Sequence, residues 1–418
     1  MKRLRDRVAG LDVHRDFVLA CIRVVVGPKV KVVKERFATT MAGLVALGDW
    51  LTGHEVTTVV MEATGVYWKP VYYGLEGRFD ELWLCNAHHV KNVPGRKTDM
   101  TDAEWLADVA AHGMVRASLV PPPLIRELRD LTRYRKTQVD TRAREIQRLE
   151  KVLQDAGIKL TSVASRVWSM SSREMIEALI AGQRDPVVLA QMAKSTMRKK
   201  IPELEEAMAN RFGAHHAVAC RRIIDHIDFL DSSISELTKE IRARLVDFEG
   251  AITLLCGIPG VSRIVAETII AETGGDMSRF KTPGHLCAWA GVAPGDHQSA
   301  GKRKAAGTRK GGQWLRRALV ESARAAARTK DTRLAARYRR IARRRGANKA
   351  AVALAHTILT IVWHLLSTGQ VYQDLGADFY DARKKKDPEV EARRLVARLE
   401  ALGFNVSAER VTDSGSAA

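Results

Sequence analysis

The sequence predicts an α/β domain followed by an all-α region, and three observations carry that expectation. Residues 8 to about 118 alternate short β-branched runs with helix-length stretches. Residues 124 to about 248 carry apolar residues spaced three and four apart, the helical period. Between the two stands Pro121-Pro122-Pro123, where neither a helix nor a central strand can continue.

The first part resolves into elements in order. LDV, FVLACIRVVV and KVKVVKERF read as three successive strands, with Gly27-Pro28 as a turn. TTMAGLVALGDWLTG reads as a helix capped by Thr39 or Thr40 and stopped at Gly53. VTTVVME follows as a buried strand, then a helix from Gly65 to about Gly77. ELWLCN is a strand, and a helix runs from about Asp99 to His112. Three strands, a helix, then alternating strands and helices is the order of the ribonuclease H-like fold.

The second part opens with a helix from Leu124 to Leu153, with Leu128, Leu131, Ile146, Leu149 and Leu153 on a loose seam. A stricter seam follows at Ile223, Ile227, Leu230, Ile234, Leu237, Ile241 and Leu245, a heptad spacing that predicts a coiled coil. The two long helices pair antiparallel within the chain or pair with a second protomer. Next, LLCGIPGVSRIVAETIIAETGG resembles a helix-hairpin-helix. Gly260 can take a positive φ in its turn, and backbone N–H groups at the second helix can hold a phosphate. The expected organisation is 1–120 catalytic α/β domain, 121–248 helical coiled-coil region, 249–368 mostly helical C-terminal domain and 369–418 tail. The longest apolar stretch, Ala350 to Leu366, is interrupted by His356 and His364 and reads as a buried helix rather than a membrane span.

The formal net charge is +20, from 68 Lys and Arg against 48 Asp and Glu. The excess is clustered: residues 302 to 349 hold 18 Lys and Arg against Glu321 and Asp331. A single-signed cluster of that density favours a polyanionic partner, nucleic acid, over a membrane surface. Candidate backbone contacts are Lys302, Arg303, Lys304, Arg309, Lys310, Arg316 and Arg317, with Gly260 in the hairpin. The five cysteines show no CxxC pair, so neither a zinc site nor a disulfide framework is signalled. The basic N-terminus lacks the apolar core of a secretory signal, and a cytoplasmic, nucleoid-associated location is expected.

On this basic chain, four carboxylates suggest chemistry. Asp12 and Glu62 lie in or at the end of apolar strands, and Asp99 and Asp102 are three apart at a helix start, on one face. Four acids in one pocket repel unless a cation joins them, and Mg²⁺, one ion or two, suits carboxylate and phosphate oxygens. An uncompensated Asp12 within a buried sheet would be costly. Either helix acid could instead serve as a cap. Ser299, after a Pro-Gly turn and before the basic cluster, is a loop serine by composition; its hydroxyl could attack phosphorus.

The motifs GLDVHRD, MEATGVYW and KTDMTDAEWLA, followed by GIPGVSRIVAETIIAETGG, HLCAWAGVAP, QSAGK and KGGQWLRRALV, resemble the insertion-sequence one-ten family of transposases. These are also called DEDD transposases or bridge-RNA-guided recombinases, and the resemblance covers nearly the whole chain. It implies a RuvC-like domain holding Mg²⁺ on Asp12, Glu62, Asp99 and Asp102, and a nucleophilic serine. The family often has a serine pair before the loop glycine; here Ala300 takes the second place, leaving Ser299. It also implies a composite active site assembled from different protomers, a homodimer or homotetramer, donor and target double-stranded DNA, and a noncoding guide RNA. Two rival functions remain at this stage: a junction-resolving nuclease that uses metal and water, and a non-catalytic binder. The intact acid set argues against the binder, which would gain by shedding negative charge near phosphates.

Overall fold

The computed structural model describes residues 4–408 apart from positions 28, 92, 94–100, 165, 296, 297, 300, 304–306, 309, 310 and 383–387. The chain divides into two compact units, Met1–Pro121 and Pro122–Ala418.

The first unit is a five-stranded mixed sheet with helices on both faces. Its elements are β1 (Arg7–Val13), β2 (Phe17–Val26), β3 (Lys29–Ala38), α1 (Met41–Gly53), β4 (Thr58–Glu62), α2 (Trp68–Leu75), β5 (Glu81–Cys85), α3 (Ala87–Lys91) and α4 (Asp102–Ala111). The strand order is β3-β2-β1-β4-β5. β1, β2 and β3 form an antiparallel meander, whereas β1, β4 and β5 run parallel. The element order expected from the sequence is therefore observed. Thr40 is the N-cap of α1, its hydroxyl accepting from Gly43 N.

Alternation along the strands builds two cores. Ala9, Leu11, Val13, Val59 and Met61 face α1 and α2 with Leu44, Leu47 and Leu75. Val8 and Val60 face the other way, onto Trp105, Leu106, Val109 and Ala110 of α4. Arg23 of β2 pairs with Asp108, and Lys34 of β3 with Glu104, tying α4 across the sheet.

The second unit is almost entirely helical. A 33-residue helix, α5 (Pro123–Asp155), opens it. Four short helices follow: α6 (Leu160–Val163), α7 (Met170–Ile180), α8 (Pro186–Gln191) and α9 (Ile201–Ala207). Then come α10 (Ala214–Arg244), α11 (Glu249–Cys256), α12 (Arg263–Thr273) and α13 (Pro283–Trp289). A two-residue pair, β6 (Gln298–Ser299) and β7 (Lys302–Arg303), precedes α14 (Gln313–Ala326), α15 (Arg333–Arg345) and α16 (Ala347–Thr368). The tail adds α17 (Phe379–Ala382) and α18 (Pro388–Glu400).

α5 and α10 pair antiparallel within the chain. Glu127 meets Arg244, Arg135 meets Thr238, Arg142 meets Asp231, Glu145 meets His226, and Asp155 meets His216. The heptad seam of α10 is buried at Ile223, Ile227, Leu230, Ile241 and Leu245 but only half-buried at Ile234 and Leu237. The facing stretch of α5 is polar there, with Arg135 and Glu145 buried, which explains why its apolar seam looked loose in the sequence.

α16 is long and apolar enough by length and composition to cross a membrane. It serves as a core helix: Ala350, Leu354, Ile358, Leu359, Val362 and Leu365 are buried, with α13, α14 and α15 packed beside it.

Candidate active site

β1 and β4 run parallel and in register from Val8↔Thr58 to Leu11↔Met61. Asp12 and Glu62 are the next residues on each strand. They therefore leave the sheet at the same edge, on the same face, one strand spacing apart, about 4.8 Å. That face is the one α4 covers. Leu4 N and Arg5 N donate to Ala111 O, so the helix ends near the start of β1 and begins near its C-terminal end. The first residue of α4 is Asp102. Three of the four expected carboxylates, Asp12, Glu62 and Asp102, thus converge toward one end of this face, but among the described residues their oxygens do not stand close enough together to share an ion.

Gly10 makes that convergence possible. A Cβ there would overlap the Ala103 carbonyl oxygen and come within 2.6 Å of Ala107 N and 2.9 Å of Leu106 Cβ. With hydrogen in its place, the first turn of α4 lies directly on β1, and Asp102 is held beside the strand end. A Gly10→Ala variant is expected to force α4 off the sheet, costing about 2–3 kcal/mol as an overpacked contact. Urea denaturation measures this, and a change under 0.5 kcal/mol would contradict the close packing.

The expected helix start is corrected: Thr101 is the N-cap of α4, its hydroxyl accepting from Glu104 N, and the helix begins at Asp102. Both acids looked suited to capping, but the threonine between them does it. Asp99 lies outside the described residues. Asp12 is also not sealed within the sheet. Its side chain is 29% exposed and 3.1 Å from His14 Nε2. His14 in turn stacks on Phe17 with ring centroids 4.4 Å apart. Asp102 is exposed and Glu62 half-buried, so the corner opens to solvent.

The donors are hard oxygens, which suit Mg²⁺ or Mn²⁺ rather than a soft metal. The neighbouring cysteines do not compete as nucleophiles. Burial pushes the Cys85 thiol up to about 12, with the Glu62 carboxylate adding to the effect, and burial pushes Cys21 up to about 11.

The group among the described residues whose donor atoms do lie close enough to share a metal is Asp155, His215 and His216, at the junction of α5 and α10. It does not fit a metal well. His216 Nδ1 accepts from Gly213 N at 3.0 Å, and Nε2 lies 3.0 Å from Asp155 Oδ2, so both ring nitrogens are already used. The histidine caps α10, and its bond is the first cause of the lowered Asp155 pKa.

In the second unit, Ser299 pairs with Lys302 in the β6–β7 hairpin, with Gly301 at φ +74° in its turn. The side chains of Ser299, Lys302 and Arg303 lie outside the described residues, as do Lys304, Arg309 and Lys310. Arg316 and Arg317 line a groove of about 760 Å³ with Lys136, Asp140 and Arg324. Asp140 and Glu321 neutralise part of its charge: Lys136 Nζ lies 3.0 Å from Asp140 and 3.3 Å from Glu321.

Gly260, expected to serve a phosphate, has a packing role. It takes φ +86°, and a Cβ there would sit 2.5 Å from both Ser322 O and Ala326 N of α14. Its carbonyl accepts from Ser322 Oγ at 2.6 Å. Ser262 caps α12, accepting from Val265 N.

Sequence reasoning missed the acids that anchor α12. Glu267 is fully buried against Arg135, Arg242 and Arg263, and Glu272, 2% exposed, is held by Arg129 and Arg133. The Ala-Glu-Thr repeat at 266–268 and 271–273 is the signal that could have marked them.

Comparison with known proteins gives two family matches. Residues 9–158 match the DEDD transposase model of the IS110 type, and residues 252–339 match the transposase IS116/IS110/IS902 family. The transposase for insertion sequence element IS1111A of Coxiella burnetii is 25% identical over 382 residues, covering 88% of this chain and 91% of that protein. A Pseudomonas aeruginosa protein described as "Probable family 20 transposase" is 26% identical over 285 residues, covering 67% and 75%. The transposase for insertion sequence element IS1328 of Yersinia enterocolitica is 30% identical over 155 residues, covering 36% and 46%.

Proposed function

The chain belongs to the IS110/IS116/IS902 family of insertion-sequence transposases, and from that premise we propose that it is a DNA recombinase combining a carboxylate-held divalent cation with a serine nucleophile. The observation that carries the reading is the convergence of Asp12 and Glu62, in register on parallel strands, with Asp102 at the start of α4. The strand order and directions support a ribonuclease H-like assignment for this unit.

Asp12, Glu62, Asp102 and, on the family resemblance, Asp99 would hold the cation, Mg²⁺ in this reading. When bound, it supplies positive charge against the developing charge of the scissile phosphate. The protein's own steps are simple to balance. Ser299 Oγ bonds to phosphorus and gives its proton to solvent, and one DNA oxygen leaves and takes up a proton. A phosphoserine diester replaces a phosphodiester, so bond energy is conserved. Attack by a DNA hydroxyl then frees the serine and joins the strands.

The groove of Arg316 and Arg317 suits phosphate contacts on the DNA. Lys302, Arg303, Lys304, Arg309 and Lys310 are proposed as further phosphate contacts from their clustering in the sequence. A noncoding guide RNA would carry sequence readout, with the protein acting in the cytoplasm as a homodimer or homotetramer on donor and target duplexes. The serine assignment is tested by denaturing capture of protein–DNA adducts. Wild type should yield a covalent adduct and Ser299→Ala none. An undiminished adduct from Ser299→Ala would refute the nucleophile, and free cleaved ends from both would favour the water-using nuclease.

A further inference from the structure

The strongest unassigned feature lies on α15. Arg339, Arg340, Arg343 and Arg344 stand at i, i+1, i+4 and i+5, so they share one side of the helix, and all four are exposed. Among the described residues none of them has a carboxylate partner within ion-pair distance, unlike Arg317 of the α14 groove, 3.8 Å from Asp140. Like charges one turn apart repel, and the helix C-terminus offsets only part of that cost. An anion would relieve the rest.

Beside these arginines runs a groove of about 590 Å³, its other wall made by Ala377, Asp378 and Tyr380. That wall is anchored. Asp374 Oδ1 accepts from Arg333 N at 2.9 Å, and Arg337 Nη1 donates to the Tyr380 hydroxyl at 3.3 Å. The Arg340 guanidinium lies 5.3 Å from the Tyr380 ring centre, and that of Arg333 lies 5.1 Å from the Phe379 ring. The result is a concave track with two rows of cations one turn apart and an aromatic ring in its wall.

The shape selects the anion. Two rows of charge suit a chain of phosphates better than one isolated ion. A duplex keeps its bases stacked inside, so the tyrosine gains nothing from it. A single strand offers both phosphates and an unpaired base to stack. We infer that the α15 groove binds single-stranded DNA, with phosphates on Arg339, Arg343 and Arg344 and a base against Tyr380. The choice of DNA rests on the transposition reading, in which strands are cut and exchanged. The groove would hold a strand end freed between those steps.

Fluorescence anisotropy of the full chain with a labelled 15-nucleotide oligo-dT, a 15-base-pair duplex and a 15-nucleotide oligo-U tests this. The triple variant R339A/R343A/R344A should bind oligo-dT at least about tenfold more weakly. Its slope of log K against log salt should flatten by about 2, for three lost phosphates on a single strand. Duplex affinity should stay within about twofold. Tyr380→Leu should weaken oligo-dT by about fivefold or more but leave an abasic strand unchanged. Circular dichroism melts confirm folding, since the arginines are exposed. Unchanged oligo-dT binding, an equal loss on the duplex, or a loss confined to oligo-U would each overturn the assignment. If the wild-type chain bound the duplex but no single strand, only this inference would fall. If it bound neither, the proposed recombinase function would fall with it.

Discussion

Asp12→Ala is expected to cut strand transfer by about 10³-fold while leaving the fold as stable as wild type or slightly more so. The loss follows from removing one electrostatic partner of a developing charge, an effect of 10²–10³ where single stabilising groups have been deleted. The stability expectation follows from geometry. Asp12 is one of three convergent acids, so its removal relieves repulsion between Glu62 and Asp102 and their neighbour. Asp12 pairs with His14, a side chain 48% exposed, and an exposed pair of that kind contributes about 0–1 kcal/mol. A junction-formation assay and a thermal melt, run on the same preparation, read both halves. Activity within tenfold of wild type would remove Asp12 from the site. Activity lost together with the unit's cooperative melt would make it structural instead. Gly10→Ala should show the opposite pairing, stability lost first and activity lost as a consequence.

The two variants also mark what could be read from the sequence. The strands were legible because β-branched runs and turn residues bound them, and β1 to β5 appear where those runs are. The carboxylates were legible as residue types at strand ends. Their convergence was not, because it depends on the β1–β4 register and on Gly10 letting α4 approach. The sequence held a clue in the small residues Ala103 and Ala107, one turn apart on the helix face that meets a strand glycine. The helix starts at Asp102 rather than at about Asp99 because Thr101 takes the cap, a role for which the neighbouring aspartates are equally suited by residue type. In the second unit, the heptad of α10 was legible and so, as one of two alternatives, was its antiparallel pairing with α5, while the charges buried in the polar middle of α5 were not. Buried charge explains that gap: Arg135 reads as a solvent residue until Glu267, 132 positions away, is placed beside it. The α15 arginines were legible as a charged face, but the wall that Tyr380 adds comes from the tail and has no local signal.

The second large effect concerns that buried charge. Glu267→Ala is expected to destabilise the second unit by about 3–5 kcal/mol, the cost of leaving a buried partner unpaired. Arg135 Nη1 lies 2.7 Å from Glu267 Oε2, with side chains 4% and 0% exposed. Arg242 and Arg263 approach the other oxygen at 3.2 and 3.3 Å but are 47% and 37% exposed. Without the carboxylate those two can turn to water, whereas Arg135 cannot. The orphaned guanidinium should therefore account for most of the loss. If so, Arg135→Leu with Glu267→Leu should recover much of it, since apolar replacements of both members of a buried pair are often neutral. A double-mutant cycle by urea denaturation separates the terms. A Glu267→Ala change below 1 kcal/mol would mean that solvent already reaches the pair. A double variant as unstable as the single one would mean that all three arginines need the acid. The consequence reaches function because α12 fixes α14: the turn before it packs Gly260 onto Ser322 and Ala326 of the helix that carries Arg316 and Arg317. Loosening Glu267 should accordingly weaken duplex binding even though the residue touches no phosphate, and the double leucine variant should restore both properties together.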